Sequence, residues 1–267
     1  MRTIGISVGA EAPAELAHIA AAFARRLAAA GIQVSMAGSR DSLIVQPLDR
    51  QQPVDLDDRV HISDGEGEDL GQISLDMRTS TLHLHRAQDE ASYLCAFDPS
   101  TFPMEDRAGS SIPRVLFRGG SGRRLRMSLK VVAELRSRSW PFLAICHGEP
   151  DAESLSIAEP DEVHPRLSAA EWAAVLLSSA AILETSDQFE TPSLEGIAGR
   201  DLGLPTIAHE ASPIIREGEG FLVTSRWAPD AFADLLMSGA LVVREPSDVH
   251  VADLCRGLSR SLGLNDG

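Results

Sequence analysis

The chain has 267 residues with 24 basic and 39 acidic side chains, so its formal net charge is −15 at pH 7. This length exceeds the ~100–200 residues of a typical domain, and an apolar share of 43% is enough to build cores. One large or two small globular domains are therefore expected. A wholly disordered chain and a coiled coil are not expected. The excess of acidic residues argues against general binding to nucleic acids and against binding to an anionic membrane surface, because both kinds of binding need clustered Lys and Arg.

No run of residues approaches the ~18–20 apolar side chains of a membrane span. Acidic residues also stand near the start of the chain, where a signal peptide has its apolar stretch. Three widely spaced cysteines, Cys95, Cys146 and Cys255, make neither a disulfide framework nor a paired metal motif, so buried reduced thiols are expected. Together these features predict a cytoplasmic protein without a membrane span.

The first 38 residues predict one βαβ unit. Residues 3–9 form a short apolar strand that ends at Gly9. Pro13 then opens an Ala-rich amphipathic helix, which Gly31 ends. Residues 32–38 predict a second strand, and strand, helix and strand in this order imply a parallel sheet.

Residues 40–96 give weaker patterns. The polar stretch 49–58 predicts a loop, and no helix is predicted in this region. Short alternating runs predict strands at VHI (60–62), ISLDM (73–77) and TLHLH (81–85).

Strands and helices alternate regularly after a Pro- and Ser-containing linker at 97–113. This alternation predicts a doubly wound α/β domain, followed by a terminal helix at 248–263. Ser168 with Glu171 three residues later forms a capping box at the start of one of these helices. The strands are expected within 113–120, 140–150, 161–167, 181–186, 204–210 and 218–225, and the helices within 123–138, 168–180, 194–203 and 229–239.

Two candidate ligand sites follow strands, because open parallel sheets bind ligands beyond the carboxyl ends of their strands. In RGGSGRR (118–124), glycines let the backbone approach a phosphate, and Arg123 and Arg124 can neutralise it. An ordinary exposed loop with surface arginines explains this sequence equally well. In CHGEP (146–150), His147 can contact a ligand, although a lone histidine at a strand end is more often structural.

A third candidate is the segment 184–196, between a strand and a helix. Glu190 stands just before Thr191, Pro192 and Ser193, where free peptide N–H groups can bind an anion or a hydroxyl. The alternative is that Glu190 or Ser193 only caps the helix. The sequence contains no zinc spacing, Walker loop or Gly-x-Ser-x-Gly elbow.

Residues 97–245 resemble the C-terminal, donor-binding half of GT-B glycosyltransferases of the retaining group 1 (family 4) type. The signature E-x-x-G-x-x-x-x-E-A-x-A-x-G-x-P-V-I-A of that family resembles FETPSLEGIAGRDLGLPTIAHEAS. Five further stretches resemble family segments in the same order, namely FDPSTFP, VLFRGGSGRRLRMSLKVVAEL, FLAICHGEP, VHPRLSAAEWAAVLLSSAAILETS and REGEGFLVTSRWAPDAFADLL.

The resemblance implies a GT-B-like α/β protein with two Rossmann-like, doubly wound parallel-sheet domains, the first of them truncated. Residues 1–96 would form the reduced acceptor-side domain, 97–247 the nucleotide-sugar-binding domain and 248–267 a C-terminal helix. It implies transfer of a sugar from a nucleotide-diphospho-sugar, UDP-linked, to a small-molecule or glycan acceptor. No metal or resident cofactor would be needed, and a homo- or hetero-oligomer is compatible with it.

The resemblance also assigns site residues. Glu190 would be catalytic, and Gly9, His83 and His85 would lie on the acceptor side. The donor would be bound by Gly119, Gly120, Arg123, Arg124, His147, Gly148, Pro165, Thr191, Pro192, Ser193, Leu194 and Glu195.

Three departures from the family pattern open an alternative function. The second glutamate of the signature, which usually holds the ribose hydroxyls, falls on Ala198, and Glu195 lies three residues away. The family's loop arginine falls on Gly120, and the first domain is short. The alternative is a catalytically inactive glycosyltransferase-like subunit or chaperone that acts through a partner protein.

The second half also has no Asp-x-Asp loop for a divalent metal. Asp55 and Asp57 flank Leu56, but they lie in a polar stretch of the first half. Metal-independent chemistry is therefore expected.

Overall fold

A computed structural model of the chain describes residues 3–37, 58–87, 89–104, 111–215, 221–241 and 243–264. All but the last residue of the predicted loop at 49–58, with Asp55 and Asp57, lies outside the described residues. The chain divides into two compact units. Unit 1 comprises Met1–Phe102, Ser168–Trp172 and Asp248–Gly267, and unit 2 comprises Pro103–Leu167 and Ala173–Ser247. The segment 248–267, predicted as a separate piece, thus groups with unit 1.

Strands and helices have the following bounds in chain order. The strands are β1 Thr3–Val8, β2 Gln33–Ala37, β3 Val60–Asp64, β4 Asp69–Asp76, β5 Thr81–His85, β6 Glu90–Leu94, β7 Arg114–Gly120, β8 Leu143–Pro150, β9 Glu162–His164, β10 Ala181–Glu184, β11 Thr206–His209 and β12 Leu222–Thr224. The helices are α1 Ala14–Ala29, α2 Arg123–Ser137, α3 Ala152–Leu155, α4 Ala169–Ser178, α5 Leu194–Asp201, α6 Pro229–Met237 and α7 Val249–Ser261.

The sheet of unit 1 has the order β2-β1-β3-β4-β5-β6. β1 and β2 pair in parallel, which confirms the predicted βαβ unit, and the three runs predicted as strands are β3, β4 and β5. The other four pairings are antiparallel, which corrects the expectation of a doubly wound parallel sheet in this part of the chain. For the three pairings from β3 to β6, the reason is connection length. β3 to β6 are joined by four residues each (65–68, 77–80 and 86–89), whereas a parallel crossover needs about a dozen or more.

Two helices contribute to the core of unit 1. α1 begins directly after Pro13, and Gly31, at φ +81°, follows its end as predicted. α1 packs against β1, β2 and β3 through the buried face that the sequence predicts, which consists of Leu16, Ile19, Ala20, Phe23 and Leu27. α7 packs against α1 and β6, where the Tyr93 hydroxyl donates a hydrogen bond to the Gly257 carbonyl at 3.1 Å.

The sheet of unit 2 is parallel throughout, with the order β12-β11-β10-β7-β8-β9. Counted from β7 this is the 3-2-1-4-5-6 order of a doubly wound nucleotide-binding fold. α2 and α6 share one apolar cluster with inward-facing residues of the strands, among them Phe117, Cys146 and Leu183. α5 packs against β7, β10 and β11. The prediction of a doubly wound α/β arrangement is therefore confirmed for this part of the chain.

Two local predictions are also confirmed. The Ser168 N–H donates to Glu171 Oε2 at 2.8 Å and the Glu171 N–H donates to Ser168 Oγ at 3.3 Å, which is the predicted capping box. All three cysteines are buried, and burial raises the pKa of the Cys146 and Cys255 thiols to about 12. Among the described helices, none has both the length and the apolar character that a membrane crossing requires.

Candidate functional site

The candidate site lies where the strand order of unit 2 reverses, between β7 and β10. β7 pairs in parallel with both β8 and β10, so the carboxyl ends of all three strands lie at the same edge of the sheet. The segment 118–124 begins in the last residues of β7 and continues past its end, and 189–194 follows β10. The segment 146–150, predicted as a turn after a strand, is instead the last part of β8. The structure therefore brings together the three segments that the sequence selects, at the position where open α/β sheets bind ligands.

The glycines at the end of β7 and directly after it have two different roles. A Cβ on Gly119 would lie 2.5 Å from the Gly148 carbonyl oxygen, so Gly119 is required because β7 and β8 approach closely. Gly120 and Gly122 have φ values of +100° and +95°, and no atom of the described residues beyond their chain neighbours lies within 4 Å of a Cβ built on either glycine. These two glycines therefore border open space at the N-terminus of α2, which suits the approach of a ligand.

The N-terminus of α2 faces Glu190. Gly122 is the N-cap residue, and it has no side chain to accept from the first N–H groups. The Arg124 N–H instead donates to Glu190 Oε1 at 3.3 Å. Glu190 Oε2 is buried and has no hydrogen-bond partner among the described residues. The residue predicted as catalytic thus lies at the N-terminus of α2, next to the glycine loop predicted to approach a phosphate.

Arg123 and Arg124 fasten the loop after β10 to α2. Arg123 Nη1 lies 3.1 Å from Asp187 Oδ2, and its guanidinium carbon lies 4.9 Å from the centre of the Trp227 ring. Arg124 Nη1 donates to the Thr191 carbonyl at 2.8 Å. The Arg123 side chain remains 58% exposed, so its charge stays accessible from solvent at this edge.

A buried carboxylate that sequence reasoning missed organises the same loop. Glu184, the last residue of β10, accepts from the Ser193 N–H at 2.8 Å and from the Ser186 N–H at 2.9 Å, and the Ser193 hydroxyl also donates to it. Ser193 Oγ in turn accepts from the Gly196 N–H at 2.9 Å. For Ser193 the capping alternative is therefore correct. The only signal for Glu184 is an acid that ends an otherwise apolar strand.

Glu195, Arg118 and His147 form a second buried group. Glu195 Oε1 lies 2.9 Å from Arg118 Nη1 and 2.5 Å from His147 Nδ1. Burial opposes ionisation of Glu195, but the Arg118 charge and the His147 hydrogen bond outweigh it and hold the pKa of this carboxyl well below its usual range. Arg118 was not among the predicted site residues, and its one signal is an arginine inside an apolar strand.

Burial limits what other predicted residues can contribute. The side chains of Pro192 and Leu194 are buried, so only their backbone can face a ligand. Pro165 is exposed but follows the edge strand β9, two strands from β7. Ala198 is fully buried within α5.

The three residues assigned to the acceptor side do not lie together. Gly9 follows β1, whereas His83 and His85 lie on β5, three strands further along the sheet and roughly 14 Å away at ~4.8 Å per strand. The histidines face Glu90, with distances of 3.0 Å from His83 Nδ1 and 3.8 Å from His85 Nδ1 to its carboxylate oxygens. Strand order therefore separates Gly9 from the two histidines, and their assignment to the acceptor side stays a prediction.

Comparisons with known proteins give little guidance. No family model matches the sequence, and no curated protein matches it. Among solved structures, the chain is similar to a protein from Listeria monocytogenes provisionally named UDP-N-acetylglucosamine 2-epimerase, with 11% identity and a TM-score of 0.38. The similarity covers 61% of this chain and 47% of that one, so the chain spans about half the length of that structure. A likeness this distant does not carry a substrate or an activity to this chain.

Proposed function

We propose that the chain is a retaining, metal-independent glycosyltransferase of the GT-B type. It would transfer a sugar from a UDP-linked donor to a small-molecule or glycan acceptor. The observation that carries the proposal is the open N-terminus of α2 at the switch point, with the Glu190 carboxylate beside it. The resemblance of residues 97–245 to donor-binding domains supplies the reaction class.

In this proposal the reaction is driven by stabilisation of the leaving diphosphate. Negative charge develops on the leaving group, and preorganised donors lower the barrier most where that charge appears. The N–H groups and dipole of α2 supply such donors, and Arg123 and Arg124 add positive charge without a metal ion. Glu190 accepts hydrogen bonds from the sugar hydroxyls near the reacting carbon.

The loop that carries Glu190 supports this role because it is held in place before a ligand arrives. Asp187 accepts from the Phe189 N–H at 2.8 Å and pairs with Arg123, and Glu184 holds Ser193 at the other end of the loop. A loop that is already ordered loses little conformational entropy when it binds.

Thermal unfolding with UDP tests the donor site. Binding at a UDP concentration of about 100 Kd should stabilise the wild type by ~2.7 kcal/mol. Gly122→Ala places a methyl group in the open space at α2, so it should lose this stabilisation. Gly67→Ala is the matched control because Gly67 also has positive φ, +90°, and free space around it. Both variants should lose roughly 1–3 kcal/mol of intrinsic stability from backbone strain.

Two results would contradict the donor site. One is a wild type that UDP does not stabilise, and the other is an equal response of the Gly122 and Gly67 variants to UDP.

Turnover of Glu190→Gln tests the catalytic assignment. Loss of a transition-state contact costs ~2.7–4 kcal/mol of barrier by analogy with oxyanion donors, which is on the order of a hundredfold in rate or more. The accompanying loss of stability should stay within the ~0.5–2 kcal/mol of a cap substitution. Glu210→Gln, which removes an exposed charge after β11, should leave turnover unchanged. Transfer should also continue in the presence of a chelator. Unchanged turnover of Glu190→Gln, or activity that depends on Mg²⁺ or Mn²⁺, would sink the proposal.

A second candidate function is the inactive subunit or chaperone. Ala198 is buried and Glu195 is engaged by Arg118 and His147, so the family's ribose-binding carboxylate has no exposed counterpart on α5. A folded wild type that neither binds UDP nor transfers sugar would favour this candidate. Glu190→Gln should then fold and leave the activity of the partner enzyme intact.

A further inference from the structure

The Glu190 carboxylate lies at the N-terminus of α2, the helix end to which the proposed function assigns the diphosphate. We propose that its carboxylate is an internal substitute for the diphosphate, which caps α2 in the unliganded protein and is displaced when the donor binds. This inference rests on the proposed function and adds a regulation of the same site.

The geometry supports such a substitution. α2 is a helix of 15 residues, long enough to have a full N-terminal dipole, and its N-cap Gly122 offers no acceptor. The Arg124 N–H is one of the first donors of the helix, and it points to Glu190 Oε1 at 3.3 Å. An anion supplied by the chain therefore lies at the helix end, where an external phosphate is ordinarily bound.

The contact is weak enough to be exchanged. At 3.3 Å the hydrogen bond is longer than the usual 2.7–3.2 Å, and Glu190 Oε2 has no partner among the described residues although it is buried. A buried carboxylate oxygen without a hydrogen bond is poorly compensated. A diphosphate, with several oxygens, can accept from more of the free N–H groups of α2.

The exchange requires only the side chain of Glu190 to move. Asp187 is held by Arg123, the Thr191 carbonyl by Arg124, and Ser193 by Glu184. None of these contacts uses the Glu190 carboxylate. Displacement would leave the carboxylate beside the bound diphosphate, so the catalytic group becomes available to the sugar only when the donor is in place.

Isothermal titration with inorganic pyrophosphate, and then with UDP, tests the inference. Removal of the competing charge in Glu190→Gln should tighten pyrophosphate binding by about fivefold or more, the factor that like unit charges ~4 Å apart produce even in bulk water. Glu210→Gln removes an equal charge at the carboxyl end of β11, two strands from β7, and should change the affinity by less than about twofold.

Glu190→Asp separates displacement from simple loss of charge. The shorter side chain keeps its charge but withdraws from the Arg124 N–H, so it should also bind pyrophosphate more tightly than the wild type. This variant keeps the test decisive if Glu190→Gln fails to fold.

The outcomes distinguish the two proposals. Equal or weaker pyrophosphate binding by Glu190→Gln or Glu190→Asp, with clear binding by the wild type, overturns the displacement and leaves the proposed function standing. If neither the wild type nor any variant binds pyrophosphate, the proposed function is refuted, and the displacement with it.

Discussion

Replacement of Arg118 by Met removes the cation that Glu195 contacts at 2.9 Å. The Glu195 side chain is fully buried and that of Arg118 is 12% exposed, so the variant leaves a buried carboxylate with its His147 contact but without its main counter-charge. Removal of one partner of a buried ion pair costs ~3–5 kcal/mol, a large share of the ~5–15 kcal/mol that stabilises an ordinary domain. Urea denaturation at pH 7 measures this loss in the free energy of unfolding.

The same variant should show a distinctive pH dependence. In the wild type the pKa of Glu195 is lowered, because the Arg118 charge and the His147 hydrogen bond outweigh burial. Its contribution to stability is therefore present above the unfolded pKa of ~4.3 and is lost as the pH falls toward the native pKa. In Arg118→Met, burial raises that pKa, so protonation relieves the buried charge. The difference in stability between wild type and variant should shrink as the pH falls from 7 toward about 4.

Arg114→Met provides the control. Arg114 lies on the same strand, β7, and pairs with Glu162 at the same distance of 2.9 Å, but the two side chains are 23% and 34% exposed. A solvent-accessible pair contributes ~0–1 kcal/mol, so this variant should lose little. If both variants lost the same free energy, or if the loss in Arg118→Met were constant between pH 7 and pH 4.5, burial would not be the cause.

Two further predictions concern packing and thiol reactivity. Gly196→Ala would place a Cβ 2.2 Å from Glu184 Oε2, which belongs to a carboxylate already fixed by hydrogen bonds. The variant should therefore lower the free energy of unfolding by ~1–3 kcal/mol, measured by thermal melts. A variant as stable as the wild type would mean that Glu184 shifts without cost. In the native protein at pH 8, a thiol reagent should label Cys95, Cys146 and Cys255 only slowly, since all three are buried and burial raises the pKa of the last two to about 12, whereas all three should react at once in denaturant. Rapid labelling of native Cys146 would contradict that assignment.

Local patterns predicted the elements whose signals lie within one or two turns of chain. The buried face of α1 follows from a helical period, and the box formed by Ser168 and Glu171 follows from their spacing. Five of the six strands of unit 1 were also predicted, but β6 was not, and neither was the direction of pairing from β3 to β6. An alternating pattern shows which face of a strand is buried, but it does not show in which direction the strand pairs with its neighbour. From β3 to β6 that direction is decided by the connections between the strands, which are four residues long.

The site shows the same division. The meeting of three loops at one sheet edge could be predicted, because parallel strands end on the same side. The pairing of Arg118 with Glu195 could not be predicted, because the two residues are 77 positions apart in the chain. Their charges require a partner only when both side chains are buried, and the sequence does not show that burial. The role of Glu184 was not predicted either. Its carboxylate oxygens accept from a loop up to nine residues further along the chain, and the path of that loop is set only in the folded structure.

The composition of unit 1 from separate stretches of chain has a consequence for synthesis. Its last helix, α7, carries Val251, Leu254 and Leu258 into the core, and it emerges from the ribosome only after every residue of unit 2. The apolar surface of unit 1 that α7 covers therefore stays exposed while about 145 residues (103–247) are translated. At 5–20 residues per second this takes roughly 7–30 s. Unit 2, whose strands and helices follow one another locally, can complete its own hydrogen bonds during that interval. A chaperone that shields apolar surface would therefore act on the earliest part of the chain for longest.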